Sequence, residues 1–306
     1  MKPVEIEKPI EAIVQASLGR RRFLAQAGVL GMGAAAAGLA LGSTRRAWAD
    51  RDSPAEAQQE AEQAKDTVKE IFTAALIAED LATVFYYNGL VGGVIQDPAL
   101  AGPGGSATDT AGGNPGNVNY LQAALTEEIV HANLFRSLLG ISAPSADPVQ
   151  TFYFPSGAFS ALVNFTGLLN ALEDAFIGAY LNAIQEFATM SANTRWDGAF
   201  WWFRDKDNQK YTREQLDYFA KVAASILGIE AEHRVLGRVI SNTNPANNLA
   251  YEQNDGLNAV YNGPSSAVAA LTPFLTASTG PGYSLATALS KQGAVSLPVT
   301  GNPPAY

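Results

Sequence analysis

Apolar positions recur at helical spacing in four long stretches of the chain, separated by Gly-, Pro- or aromatic-rich intervals. The first stretch predicts a helix over 54–90. Ser53 and Pro54 supply a cap and a proline at the first helical position. Its later half, "IFTAALIAEDLATVFYYNGL", is apolar on most faces, which predicts burial. The second helix is predicted over 118–139, ending at Gly140, and the third over 156–191. Thr212 with Gln215 three residues on forms a capping box, which opens a fourth helix reaching 240.

The connections differ in character. "GGVIQDPALAGPGGSATDTAGGNPGN" follows the first helix, and no regular element can occupy it. Pro144, Pro148 and Pro155 interrupt the second connection. The third, "RWDGAFWWFRDKDNQKY", is expected to pack over the bundle, although it could also line an access route or a subunit contact. Beyond Asn242 one short helical segment, "SSAVAALTPFL", interrupts an Asn-, Pro- and Gly-rich tail. The pattern predicts an all-α four-helix bundle over 50–241 with long loops. An irregular C-terminal extension, 242–306, packs against it.

Polar residues break the apolar stretches in a repeated way. Glu79 and Glu173 stand in apolar helix interiors, where an ionised carboxylate is costly unless paired or metal-bound. The only two histidines each follow a glutamate by three residues, Glu128 with His131 and Glu230 with His233. Positions i and i+3 share a helix face, so each pair can aim at one point. The repeat extends to Leu134 and Arg136 against Leu236 and Arg238, and to Glu79-Asp80-x5-Tyr86-x-Asn88 against Glu173-Asp174-x5-Tyr180-x-Asn182. Helices one and two therefore repeat as helices three and four.

Hydrophobic residues make up 47% and charged residues 16%, enough for a sizeable core. The net charge of −9 argues against nucleic acid as a partner. With no cysteine, only His, Glu and Asp remain as metal ligands. Residues 1–49 read as a signal peptide. Arg20-Arg21-Arg22-Phe23-Leu24 fits the twin-arginine pattern, an Ala/Gly-rich apolar run covers 25–42, and Ala47-Trp48-Ala49 is a small-residue cleavage site. The expected route is the twin-arginine translocase, with cleavage after Ala49 and a periplasmic or extracellular destination; the alternative is an uncleaved membrane anchor. Cleavage would leave a chain of net charge −13.

Four glutamates and two histidines on four helices resemble the ligand set of di-iron and di-manganese carboxylate bundles. There, two helices give one Glu each and two give Glu-x-x-His. The sequence accordingly resembles the ferritin-like superfamily over roughly residues 60–240. With its twin-arginine leader and long loops it is similar to the exported ferritin-like proteins often labelled desiccation-related. That resemblance implies two divalent metal ions, Fe or Mn, held by Glu79, Glu128, His131, Glu173, Glu230 and His233. It implies dioxygen or peroxide as substrate and a role in stress protection. Manganese catalase-like peroxide disproportionation and a non-catalytic, structural metal site are the alternatives. The long insertions argue against a storage cage but are compatible with a smaller homo-oligomer.

Asp80 and Asp174 are candidates for accepting the outer N–H of the metal-facing imidazoles, with Arg136 and Arg238 balancing them. Tyr86 and Tyr180 lie seven residues after Glu79 and Glu173, so each is expected on its own ligand's face. They are hydrogen-bond donors near the metals, redox groups, or ordinary core tyrosines. Glu127 and Glu232 are placed off the inner face. Val130, three after Glu127, cannot bind metal, which sets the register on Glu128.

Overall fold

The computed structural model describes residues 66–97, 100, 115–241, 246 and 271–296. The signal peptide over 1–49, the predicted helix start at Pro54, most of the first Gly/Pro connection and the start of "SSAVAALTPFL" lie outside the described residues. Among the described residues there are four long helices: α1 (Val68–Val91), α2 (Pro115–Leu139), α3 (Leu162–Ala192) and α4 (Arg213–Ile240).

Local chemistry sets their ends. Thr67 caps α1, accepting from the Glu70 backbone N–H while Glu70 reaches back to the Thr67 N–H. Its extended backbone separates α1 from the preceding residues, so the continuous helix expected over 54–90 is corrected to begin at Val68. Thr212 and Gln215 form the expected capping box on α4. Gly140 ends α2 at φ 70°, and Ile141 N–H donates to the Arg136 carbonyl at 2.8 Å. This is a Schellman closure, which glycine accommodates without strain. α3 begins six residues later than predicted. Residues 156–161 form turns around Gly157 (φ 84°), whose carbonyl takes bonds from Ser160 and Asn164.

α1 packs chiefly on α2, and α3 chiefly on α4, as the internal repeat suggests. Glu79 meets Tyr180 while Tyr86 meets Glu173, so α1 and α3 run antiparallel. Glu128 meets His233 while His131 meets Glu230, so α2 and α4 do too. The two halves are thus related by an approximate two-fold axis through the middle of the bundle.

The core falls into two apolar clusters. One gathers Leu81, Phe85, Leu125, Phe165 and Leu169. The other gathers Phe72, Phe135, Phe187, Leu216 and Phe219. On every helix the repeated Glu and His positions stand where one cluster gives way to the other.

The tail joins the first cluster. Strand β1 (Thr151–Tyr153) pairs antiparallel with β5 (Gly282–Ser284), Phe152 opposite Tyr283. Helix α5 (Leu285–Lys291) lies on α1 and buries Leu285 and Ala288. The aromatic connection forms a three-stranded antiparallel sheet, β2 (Arg195–Trp196), β3 (Trp201–Arg204) and β4 (Lys210–Thr212). Phe203 and Tyr211 pack on the second cluster, whereas Trp196, Phe200 and Trp201 stay exposed. The expectation that this segment packs over the bundle therefore holds for only part of its aromatic residues: Phe203 opposite Tyr211 reaches the bundle, while the pair Trp196 and Trp201 stands further along the same face of the sheet.

Gly89 marks a close approach between α1 and α3. A Cβ there would overlap the Phe165 ring, which is fully buried and stacked on Phe85 at 4.5 Å. Gly89→Ala gains about 1 kcal/mol of helix propensity but overpacks a ring that cannot move. The larger overpacking cost, about 1–3 kcal/mol, should lower Tm by several degrees in a thermal melt.

Candidate metal centre

Glu79 comes from α1, Glu128 and His131 from α2, Glu173 from α3, and Glu230 and His233 from α4. All four carboxylates are buried, Glu128, Glu173 and Glu230 completely. They form two overlapping groups, Glu79, Glu128, His131 and Glu230, and Glu128, Glu173, Glu230 and His233. In each, one ligand-type atom per residue lies within 4.8 Å of the others. Glu128 and Glu230 are common to both, and each group could hold a metal ion. The structure thus brings together all six residues singled out in the sequence.

The fit of a cation is testable on the polar atoms themselves. Glu79 Oε2, both oxygens of Glu128, Glu173 Oε2, both oxygens of Glu230, and Nδ1 of His131 and His233 are buried without a hydrogen bond. His131 Nδ1 lies 3.3 Å from Glu79 Oε2, and His233 Nδ1 lies 3.0 Å from Glu128 Oε1, at ion-pair range without hydrogen-bond alignment. Buried polar groups are normally paired, and eight such atoms in two overlapping groups are a donor set that a cation could satisfy.

The charges of these groups act on one another. Burial, then repulsion from Glu230, pushes Glu128 and Glu173 well above the usual carboxylate range. Burial opposes the charged form of His233, but the neighbouring carboxylates of Glu127, Glu128 and Glu230 prevail and raise it well above 6.5. His131 is raised as well, its burial outweighed by the charge of Glu79. Glu79 goes the other way: burial is overcome by His131, Glu128 and Tyr180, and its carboxyl is lowered.

The tyrosines cross between halves. Tyr86 Oη donates to Glu173 Oε1 at 2.6 Å, and Tyr180 Oη donates to Glu79 Oε1. Each stands on the inner face expected of it, two turns from the glutamate of its own helix; the antiparallel crossing of α1 and α3 sets it against the glutamate of the other. Burial, then the neighbouring carboxylates, raises both phenols well above 10, so they remain neutral donors.

Of the outer polar groups, Arg136 balances Asp80 as expected, and the others depart from expectation. Neither Asp80 nor Asp174 takes an imidazole N–H. Asp80 accepts from Arg136 Nη2, which also lies 2.7 Å from Asp147. Burial, offset in part by Arg136, raises Asp80 to about 8. Asp174 accepts from Arg234 at 2.8 Å, while Arg238 donates to the Ala246 carbonyl at 3.1 Å. The reason is geometric: the residue after a helical ligand is turned about 100° from it, away from the imidazoles. Glu127, placed off the inner face, does lie outside both groups, yet its Oε2 lies 2.8 Å from His233 Nε2. Sequence reasoning missed this contact along with Arg234 and Asp147. Arg234 faces Ala132 in the repeat, so the duplication gave no signal for it.

These shifts make a prediction for metal-free protein. Carboxylates raised by folding bind protons more tightly in the native state, so that state gains stability as pH falls. Raised histidines act in the same sense, since their contribution is lost as pH rises through the folded value. Lowered Glu79 and Glu127 act the other way, but only as pH falls through the ordinary carboxylate range. Chelator-treated protein should therefore melt at a higher temperature at pH 5.5 than at pH 8. A flat profile, or one rising with pH, contradicts the electrostatics described.

Residues 67–195 match the family model described as the ferritin-like domain. Comparison with curated proteins and with solved structures gave no match. The matched span carries Glu79, Glu128, His131 and Glu173; α4, with Glu230 and His233, lies beyond it and joins the site through its geometry. The all-α bundle and the match agree in likening residues 67–195 to a ferritin-like domain.

Proposed function

We propose that this protein binds two divalent ions, iron or manganese, between its four helices and is redox-active toward dioxygen or peroxide. The observation that carries the reading is the set of eight buried, unbonded oxygen and nitrogen atoms on two-fold related helices. Glu79 and His131 would hold one ion, Glu173 and His233 the other, with Glu128 and Glu230 common to both. Oxygen and imidazole donors without sulfur suit iron and manganese. When bound, such a pair supplies open coordination positions and exchangeable electrons for reducing dioxygen or peroxide.

The chain's own groups prepare that chemistry. Tyr86 and Tyr180 hold one oxygen of Glu173 and Glu79, leaving the second oxygen of each free to face inward. The apolar clusters on either side exclude bulk water from the carboxylates. We further propose export through the twin-arginine translocase, which carries folded proteins and would let the metal be acquired before export. A part in oxidative or drying stress rests on the resemblance alone.

Elemental analysis of protein purified after native export should find about two metal ions per chain, by analogy with the four-helix carboxylate sites. His131→Ala and His233→Ala should each lower that number; unchanged metal content in both overturns the site. Iron with oxygen-dependent colour favours an oxidase. Manganese with rapid oxygen release from peroxide favours catalase-like disproportionation, and tight metal without turnover makes the site structural. For export, replacing Arg20 and Arg21 together by lysine should leave precursor inside the cell, and normal secretion of that variant excludes the twin-arginine route.

A further inference from the structure

The two histidines present the same atom inward but differ in what stands behind them. His131 Nδ1 faces Glu79 and Glu230 at 3.3 and 3.7 Å, and His233 Nδ1 faces Glu128 and Glu230 at 3.0 and 3.5 Å. An imidazole that gives Nδ1 to a metal keeps its proton on Nε2. A carboxylate accepting that proton fixes the ring and raises the basicity of the inner nitrogen. His233 has such a partner in Glu127 Oε2, at 2.8 Å. The repeat places Ile229 where the first half has Glu127, and an isoleucine has no acceptor to offer His131. The exposure follows the same asymmetry, 12% for the His131 side chain against 4% for His233.

We propose that Glu127 is a positioning residue that makes the two metal positions unequal, the one at His233 being tighter and filled first. This rests on the dinuclear reading above. Glu127 lies outside both ligand groups, with its side chain 44% exposed, and acts through the ring it holds. Ile229 marks the weaker position.

The test is a Co²⁺ titration of the metal-free full chain, followed by its visible absorption. Wild-type protein should bind in two resolved steps. Glu127→Ala should weaken the tighter step by about 10–100-fold, the usual cost of losing an outer partner, and leave the weaker step unchanged. Glu127→Gln, which keeps an acceptor without the charge, should fall between. Ile229→Glu should tighten the weaker step. With only two histidines, nitrogen-15 histidine spectra of the Zn²⁺-loaded protein give a second readout. One slowly exchanging Nε2–H proton, that of His233, should be present in wild type and lost in Glu127→Ala.

Two unequal steps that Glu127→Ala does not change overturn the role of Glu127 and leave the dinuclear site standing. Equal weakening of both steps in a variant with wild-type circular dichroism also overturns it, by making Glu127 a general support of the site. No Co²⁺ uptake by the wild-type chain overturns the dinuclear reading, and the proposal with it.

Discussion

Four carboxylates are gathered where water cannot reach them, and the rest of the bundle is arranged around that fact. Each ionised carboxylate resists burial, and each repels its neighbours more strongly in an apolar interior than in water. Two imidazoles offset only part of this charge. Two phenols take up one oxygen each of Glu79 and Glu173. The remaining inward-facing atoms have no hydrogen-bond partner. A chain that folds around such a cluster must bring protons or cations into it, and the helix pairing keeps the ligands on opposed faces so that either can enter.

The duplication gives the site its shape and also its irregularities. Antiparallel crossings put each tyrosine on the other half's glutamate and each histidine near the other half's Glu-x-x-His glutamate. Around this symmetric centre the surroundings diverge. Asp80 is enclosed with Arg136 and Asp147, whereas Asp174 is 40% exposed and held by Arg234 alone among the ion pairs described. Glu127 stands behind one histidine and Ile229 holds the matching place in the other half. The repeat kept the ligands and let their supports drift.

What could be read from the sequence followed the same division. The ligand positions were legible because they recur twice with fixed spacing and because charge in an apolar helix calls for an explanation. The stop at Gly140 and the cap at Thr212 were legible because their chemistry is local. Thr67 with Glu70 is the same kind of local signal, but it was hidden by helix-favouring residues before it. Glu127, Arg234 and Asp147 were not legible. Each acts across a gap between elements, and helix phase reports which way a side chain leaves its own axis but not what it meets. The aromatic connection read as a covering segment because composition does not reveal how far along a short sheet the contact with the bundle extends.

The position of the site between the two apolar clusters bears on cooperativity. Every long helix contributes to both clusters, yet midway along the bundle the packing that would bind one end to the other is replaced by carboxylates and imidazoles. Side-chain contacts in an apolar core transmit order from end to end; mutually repelling acids interrupt it. Two cations, each gripped by three of the four helices at that level, would act as a rivet between the two ends of the bundle.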